Sequence, residues 1–292
     1  MVCACIDIGS NTTRLLVAEP NGTGLRTIHE ERAFTRIGRG LGCGGEIGQD
    51  KIAEVAGVVA EQVRVARELG STIVHAVATA AIRRAPNGAQ LGGAVNQVCG
   101  VELEVLSGEA EARLAFVGAT HRLTDRADCR IAVVDVGGGS SEIAIGTRAG
   151  GVEWSVSLPL GSGALAEEFL TGDPPTALEL DAVRARVSSG FDQVELPGCD
   201  RALAVGGSAG SLPRLAGSLL DADAVDHTLA LLSSGPSWEL AEAHELDPRR
   251  VRLLPAGVLI FAEACTRLRR PLEIGRGGVR EGVLLERLER LA

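Results

Sequence analysis

Asp135, Gly137, Gly138, Gly139, Ser140 and Glu142 follow one another closely in VVDVGGGSSEIAIG (133–146). Residue types in this order suit phosphate chemistry. Glycines let the main chain approach a ligand closely, and their N–H groups can converge on an anion. A serine hydroxyl adds a donor that phosphate oxygens accept. The aspartate ahead of the loop repels a phosphate but suits Mg²⁺, which takes hard oxygen ligands. The alternative is a tight hairpin whose glycines serve turn geometry alone.

The same arrangement occurs once before. CIDIGSNTTRLLVA (5–18) matches the glycine stretch at a constant offset of 128 residues, which sets Asp7 on Asp135, Gly9 on Gly137, and Thr12 and Thr13 on Ser140 and Ser141. Two strand–turn–strand units, each with an aspartate closing its first strand, imply duplicated domains whose loops face a shared cleft. Turn geometry alone does not call for such a repeat.

Composition narrows the chemistry further. Lys51 is the only lysine in 292 residues, so no GxxxxGK[ST] phosphate loop exists and Schiff-base chemistry is disfavoured. Positive charge must come from arginine, which suits bidentate phosphate recognition. A net charge of −9, 2% aromatic residues and no tyrosine argue against nucleic-acid binding. The seven cysteines (Cys3, Cys5, Cys43, Cys99, Cys129, Cys199 and Cys265) contain no CxxC pair and read as reduced, buried residues of a cytoplasmic protein. No signal peptide and no membrane-spanning apolar run is expected.

The elements that must position these residues are legible in the hydrophobic pattern. VCACIDI (2–8) and RLLVA (14–18) read as strands, with NGTG (21–24) turning the chain into a third extended segment. Apolar residues from Asp50 to Leu69 recur at helical spacing and end at Gly70. TIVHAVAT (72–79) and GVELEVLS (100–107) read as strands, and Ser107 is placed to cap a helix running to about Leu123. After the polar junction TDRADCR (124–130) the pattern restarts with strands 131–136, 142–146 and 152–158. Helical spacing follows over 176–190, 251–269 and 279–291, with ALAV (202–205) a short strand ahead of GGSAGS. Strands alternating with helices place both halves in the α/β class.

Six segments in this order carry a resemblance: DIGSNTTRLLV (7–17), ATAAIRR (78–84), LSGEAEARLAF (106–116), DVGGGSSEI (135–143), SLPLGSG (157–163) and GGVREG (277–282). Together the chain resembles the exopolyphosphatase/guanosine pentaphosphatase family of the actin/sugar-kinase/Hsp70 superfamily, from residue 2 to about 288. The resemblance implies two duplicated actin-like (ribonuclease H-like) α/β domains with an interdomain active-site cleft. The expected division is 1–124 and 125–292, with the C-terminal helix a candidate to pack back on the first domain.

Site residues carry over by position. Glu111 matches the family's catalytic glutamate, which activates water. Asp135 and Glu142 match the acids serving Mg²⁺ (or Mn²⁺) and the attacking water, and Asp7 is a further metal candidate. Gly137, Gly138, Gly139 and Ser140 match a phosphate-binding loop, and Ser10, Asn11 and Thr12 the first-domain loop. Arg36, in TRIGRGLG, and Arg83 match phosphate-binding arginines. Gly206, Gly207 and Ser208 form a third loop, although AVGGSAGS lacks the family's usual Gly-Thr. Position 110 is alanine where the family often has a second acid.

The implied activity is release of terminal orthophosphate from inorganic polyphosphate. Short chains are the expected substrates, because longer relatives carry a further C-terminal region. Guanosine pentaphosphate hydrolysis, a kinase of the same superfamily and a polyphosphate or alarmone sensor are the alternatives. The resemblance also suggests a homodimer.

Overall fold

The computed structural model describes residues 1–22, 24–41 and 45–290. Thr23, within the expected NGTG turn, Cys43 and the end of the last expected helix lie outside them. The chain divides into two compact units, Met1–Leu123 with Gly277–Ala292, and Thr124–Arg276. Residues from 277 onward, within the expected 125–292 but carrying the helix named as a candidate to pack back on the first domain, fall in the first unit.

The first unit is built on a five-stranded sheet of β1 (Val2–Ile8), β2 (Thr13–Asn21), β3 (Gly24–Ala33), β4 (Ser71–Ala78) and β5 (Leu103–Val105), in the order β3-β2-β1-β4-β5. β1, β2 and β3 form an antiparallel meander. β4 and β5 join parallel to β1 after crossovers through helices Gln49–Glu68 and Gly88–Cys99. Period-two alternation divides β1 between two cores. Ala4, Ile6 and Ile8 pack with Val55, Val59 and Val63 of the first crossover helix. Cys3 and Cys5 face Val279, Val283 and Leu284 of the terminal helix Val279–Glu289.

The second unit repeats the plan with β6 (Ile131–Val136), β7 (Ser141–Thr147), β8 (Gly151–Leu158), β9 (Arg201–Val205), β10 (Leu219–Leu220) and β11 (Leu272–Ile274), in the order β10-β11-β9-β6-β7-β8. The offset of 128 residues holds in the registry itself. Asp7 pairs with Arg14 as Asp135 pairs with Glu142, and Asp7 lies beside Val77 of β4 as Asp135 lies beside Val205 of β9. The units share a strand pattern as well as a loop sequence.

Three segments depart from the pattern reading. GVELEVLS forms only the three-residue edge strand β5. The helix expected over 251–269 is two, Pro248–Val251 and Leu254–Leu268, because Pro255 has no N–H to give and occupies the first turn of a new helix. Gly206–Ala209, expected as a loop, is a single helical turn.

Candidate active site

In the first unit, the loop after β1 is closed by a hydrogen bond from Gly9 N to Thr12 O (2.9 Å). A second loop is stitched to it: Arg36 N donates to Asn11 O at 3.0 Å and Gly38 N to Ser10 O at 2.8 Å. Arg36 adopts a left-handed backbone, φ 47°, which a non-glycine residue holds only where its surroundings enforce it. Behind it, the Thr13 and Thr35 hydroxyls are 3.0 Å apart, and Lys51 Nζ donates to Thr35 O at 3.1 Å. The structure thus brings Ser10, Asn11, Thr12 and Arg36 together. Asp7 Oδ1, Ser10 Oγ and Asn11 Nδ2 are buried there without a hydrogen-bond partner among the described residues. Buried polar atoms left so are costly unless a ligand or water satisfies them.

Glu111 and Arg83 form a second cluster in the same unit. Ser107 Oγ accepts from Ala110 N at 3.1 Å and caps helix Gly108–Thr120, which sets Glu111 one turn in. Arg83 Nη1 donates to Glu111 Oε2 at 2.9 Å and to Leu106 O at 2.7 Å. Glu111 is buried, 7% exposed.

In the second unit, the loop after β6 is closed by Gly137 N donating to Ser140 O at 3.0 Å, as in the first. Its orientation is set by helix Ser162–Phe169. Ser162 N donates to Gly137 O, and Gly163 N and Ala164 N donate to Gly138 O. In a trans peptide the N–H points opposite to the C=O. With both carbonyls turned to the helix, the Gly138 and Gly139 N–H groups aim away from it, as an anion nest requires. A Cβ at Gly161 would overlap Gly138 and Gly139 main-chain atoms, so the SLPLGSG segment is the backing of this loop.

Asp135 and Glu142 lie directly opposite one another, so their side chains share a sheet face. They are 9% and 2% exposed. Ser157, opposite Glu142 on β8, donates its hydroxyl to Glu142 Oε1 at 2.7 Å. Gly206, φ 92°, passes so close to Asp135 Oδ1 that a side chain would strike the carboxylate. Gly207 lies against the guanidinium of Arg250, where a Cβ would come within 2.7 Å of Nη1. Ser208, expected at the phosphate, is instead wholly buried, and its hydroxyl faces Gly257 of helix Leu254–Leu268.

The hairpins differ at one position with electrostatic consequences. Opposite Asp7 stands Arg14, where the second unit has Glu142. Burial pushes the Asp7 carboxyl up, while Arg14 and Arg280 oppose that shift. The Arg14 guanidinium is pushed down to about 10, first by burial and then by Arg280 and Arg32. Arg280 itself donates to Leu15 O (2.9 Å) and Glu30 Oε1 (2.8 Å). Asp7 therefore meets cations within its own unit, and Asp135 stands opposite a second carboxylate in the strand pairing.

A divalent cation fits the second arrangement. Two carboxylates side by side repel each other unless a cation or proton intervenes, and Mg²⁺ needs only one or two of them when phosphate and water complete its shell. No group of three or more His, Cys, Asp or Glu side chains suited to a metal occurs among the described residues.

Comparison with known proteins agrees with this geometry. The model of the Ppx/GppA phosphatase family matches residues 16–291. The chain belongs to the Ppx/GppA phosphatase family. Exopolyphosphatase 1 of Mycobacterium tuberculosis is 30% identical over 303 residues, covering 97% of this chain and 87% of that protein. An uncharacterised protein of Streptomyces coelicolor is 35% identical over 189 residues, 64% of this chain and 56% of the relative. The crystal structure of the Aquifex aeolicus Ppx/GppA family member superposes with a TM-score of 0.82 at 29% identity, covering 100% of this chain and 98% of that one. The two-domain actin-like fold expected for a Ppx/GppA phosphatase is the one found.

Several residues beside the loops of the two units have no assigned role in the sequence analysis. Arg14 carried a usable signal, since the internal repeat sets it on Glu142. Gly161, Ser162 and Gly163 lay in a recognised segment without an assigned role. Arg250, 4% exposed against Gly207, had none, because DPRRVR reads as a solvated surface run.

Proposed function

We propose that this chain hydrolyses the terminal phosphoanhydride bond of inorganic polyphosphate and releases orthophosphate. The observation that carries the reading is the pairing of Asp135 with Glu142 beside a loop whose Gly138 and Gly139 N–H groups aim outward. Such a loop binds a nonbridging phosphate oxygen with main-chain donors and needs no lysine. Asp135 and Glu142 would hold Mg²⁺ or Mn²⁺, which supplies charge neutralisation to the phosphate oxygens. Asp7, opposed by Arg14 and Arg280, is the weaker ligand of the three.

Glu111 acts as general base and takes a proton from the attacking water. The water oxygen bonds to the terminal phosphorus while the anhydride P–O bond breaks, and the shortened chain leaves with its electron pair. Arg83 fixes Glu111 Oε2 and, with Arg36, Ser10 and Asn11, offers donors to phosphate oxygens. The compartment we infer is the cytoplasm: Cys3, Cys5, Cys99, Cys129, Cys199 and Cys265 are all free thiols.

The test is phosphate release by the purified chain from tripolyphosphate, long polyphosphate, guanosine pentaphosphate and ATP in parallel, with Mg²⁺ and again with EDTA. Release from polyphosphate that EDTA abolishes and Mg²⁺ restores is the expected result, with tripolyphosphate the better substrate. Preference for guanosine pentaphosphate would move the assignment to the alarmone. Binding of polyphosphate without release would make the protein a sensor.

A further inference from the structure

Glu142 occupies the centre of a row that crosses three strands. Asp135 on β6, Glu142 on β7 and Ser157 on β8 are direct partners in successive antiparallel pairs, so all three side chains stand on one face. At one side of the row, Gly206 leaves room for the Asp135 carboxylate. At the other, Ser157 Oγ donates to Glu142 Oε1 at 2.7 Å.

A serine hydroxyl has a single hydrogen, and here it is committed to a carboxylate oxygen. A bond of this length to an ionised acceptor is of the stronger, charge-assisted kind. It restricts rotation about the terminal torsion of Glu142, which is otherwise broad and roughly two-fold. Ser157 thereby acts on a property a metal-binding carboxylate must have, its direction.

We propose that Ser157 is a positioning residue for the hydrolysis, acting through Glu142 on cation binding without itself touching substrate. The proposal rests on the phosphatase reading above for its kinetic consequence, and on the Ser157–Glu142 hydrogen bond for its structural one. Groups that orient the ligands of a metal typically contribute 10- to 100-fold to metal affinity or activity. Ser157 is only partly buried, on the edge strand of its sheet, so its removal leaves the core of the unit intact.

The experiment compares the wild-type chain with Ser157→Ala, Ser157→Thr and Glu142→Gln. Mn²⁺ affinity is measured by electron paramagnetic resonance without substrate, and kcat and KM are measured by phosphate release from tripolyphosphate. Ser157→Ala is expected to weaken Mn²⁺ binding about tenfold and lower kcat by a similar factor at saturating Mg²⁺. KM should change less than about twofold, since the interaction acts on the reacting end rather than on chain binding. Ser157→Thr, which keeps the hydroxyl, should recover most of both. In the Glu142→Gln background, Ser157→Ala should have no further effect on Mn²⁺ affinity.

Unchanged Mn²⁺ affinity and kcat in a folded Ser157→Ala chain would overturn the proposal. Independent, multiplying effects of the two substitutions would do so as well, because Ser157 would then act by another route. A wild-type chain that releases no phosphate, yet whose Mn²⁺ affinity responds to Ser157→Ala, would refute the phosphatase reading and leave the positioning role standing.

Discussion

Arg83 Nη1 and Glu111 Oε2 lie 2.9 Å apart, joining the helix Ala80–Arg84 that follows β4 to the first turn of helix Gly108–Thr120. The same nitrogen donates to Leu106 O, so one guanidinium fixes both the carboxylate and the main chain that leads into its helix. An ammonium on a flexible stem cannot reproduce that planar geometry. Arg83→Lys is therefore expected to lose roughly tenfold in kcat/KM, and Arg83→Met roughly a hundredfold. Phosphate-release kinetics on tripolyphosphate check this, and a fully active Arg83→Met chain would remove the residue from the mechanism.

Glu111→Gln keeps the shape and removes the carboxylate proposed as the base. Turnover should fall by about 10²–10⁴-fold, the usual contribution of a positioned general base. Binding of polyphosphate should persist, since the donors of both loops are untouched. Isothermal titration with tripolyphosphate beside the rate assay separates the two. Retained turnover would show that another group accepts the proton.

The duplicated hairpins were the most legible feature, because strand alternation and the Asp–Gly spacing are local and repeat at 128 residues. What the pattern could not yield was the difference between halves, which depends on strand registry. Arg14 and Glu142 look unremarkable in sequence until pairing sets each opposite an aspartate. Contacts made across long stretches of chain were equally hidden. Arg250 reaches Gly207 from a helix more than forty residues on, and Ser208 turns into the core because Gly257 receives it. Membership of the terminal helix in the first unit follows from Arg280 and the apolar stripe Val279, Val283 and Leu284, which a helical pattern alone assigns to neither half.

Gly161→Ala tests the backing of the second loop. The added methyl would collide with main-chain atoms of Gly138 and Gly139, which have no side chain to swing aside. Overpacking of this kind costs about 1–3 kcal/mol and displaces backbone. The expected outcome is a lowered midpoint in urea together with a KM raised by roughly tenfold or more. Glu168→Ala, exposed on the same helix, serves as the control. Normal KM in Gly161→Ala would mean that the loop does not carry the phosphate.

His121 Nδ1 lies 2.8 Å from Gly118 O, and Arg122 Nε donates to Nε2 at 3.1 Å. With a carbonyl at one nitrogen and a donor at the other, the neutral Nδ1–H tautomer satisfies both. Protonation would set a second N–H against a guanidinium. Burial pushes the His121 imidazole below its ordinary value and Arg122 adds to this, while the Gly118 carbonyl opposes it. His75 is pushed the same way, by burial and then by Arg287. With folded values below the unfolded one, the unfolded chain binds more protons in this range. The stability these residues contribute is complete above the unfolded value of about 6.5 and is lost as pH falls through it towards the folded values. Urea midpoints should therefore decline from pH 7.5 to pH 5.5. The decline should be shallower in a His75→Gln, His121→Gln chain, because a neutral amide has no proton to gain. Parallel curves for the two chains would transfer the pH dependence to the carboxylates, whose protonation is the other source of stability loss on acidification.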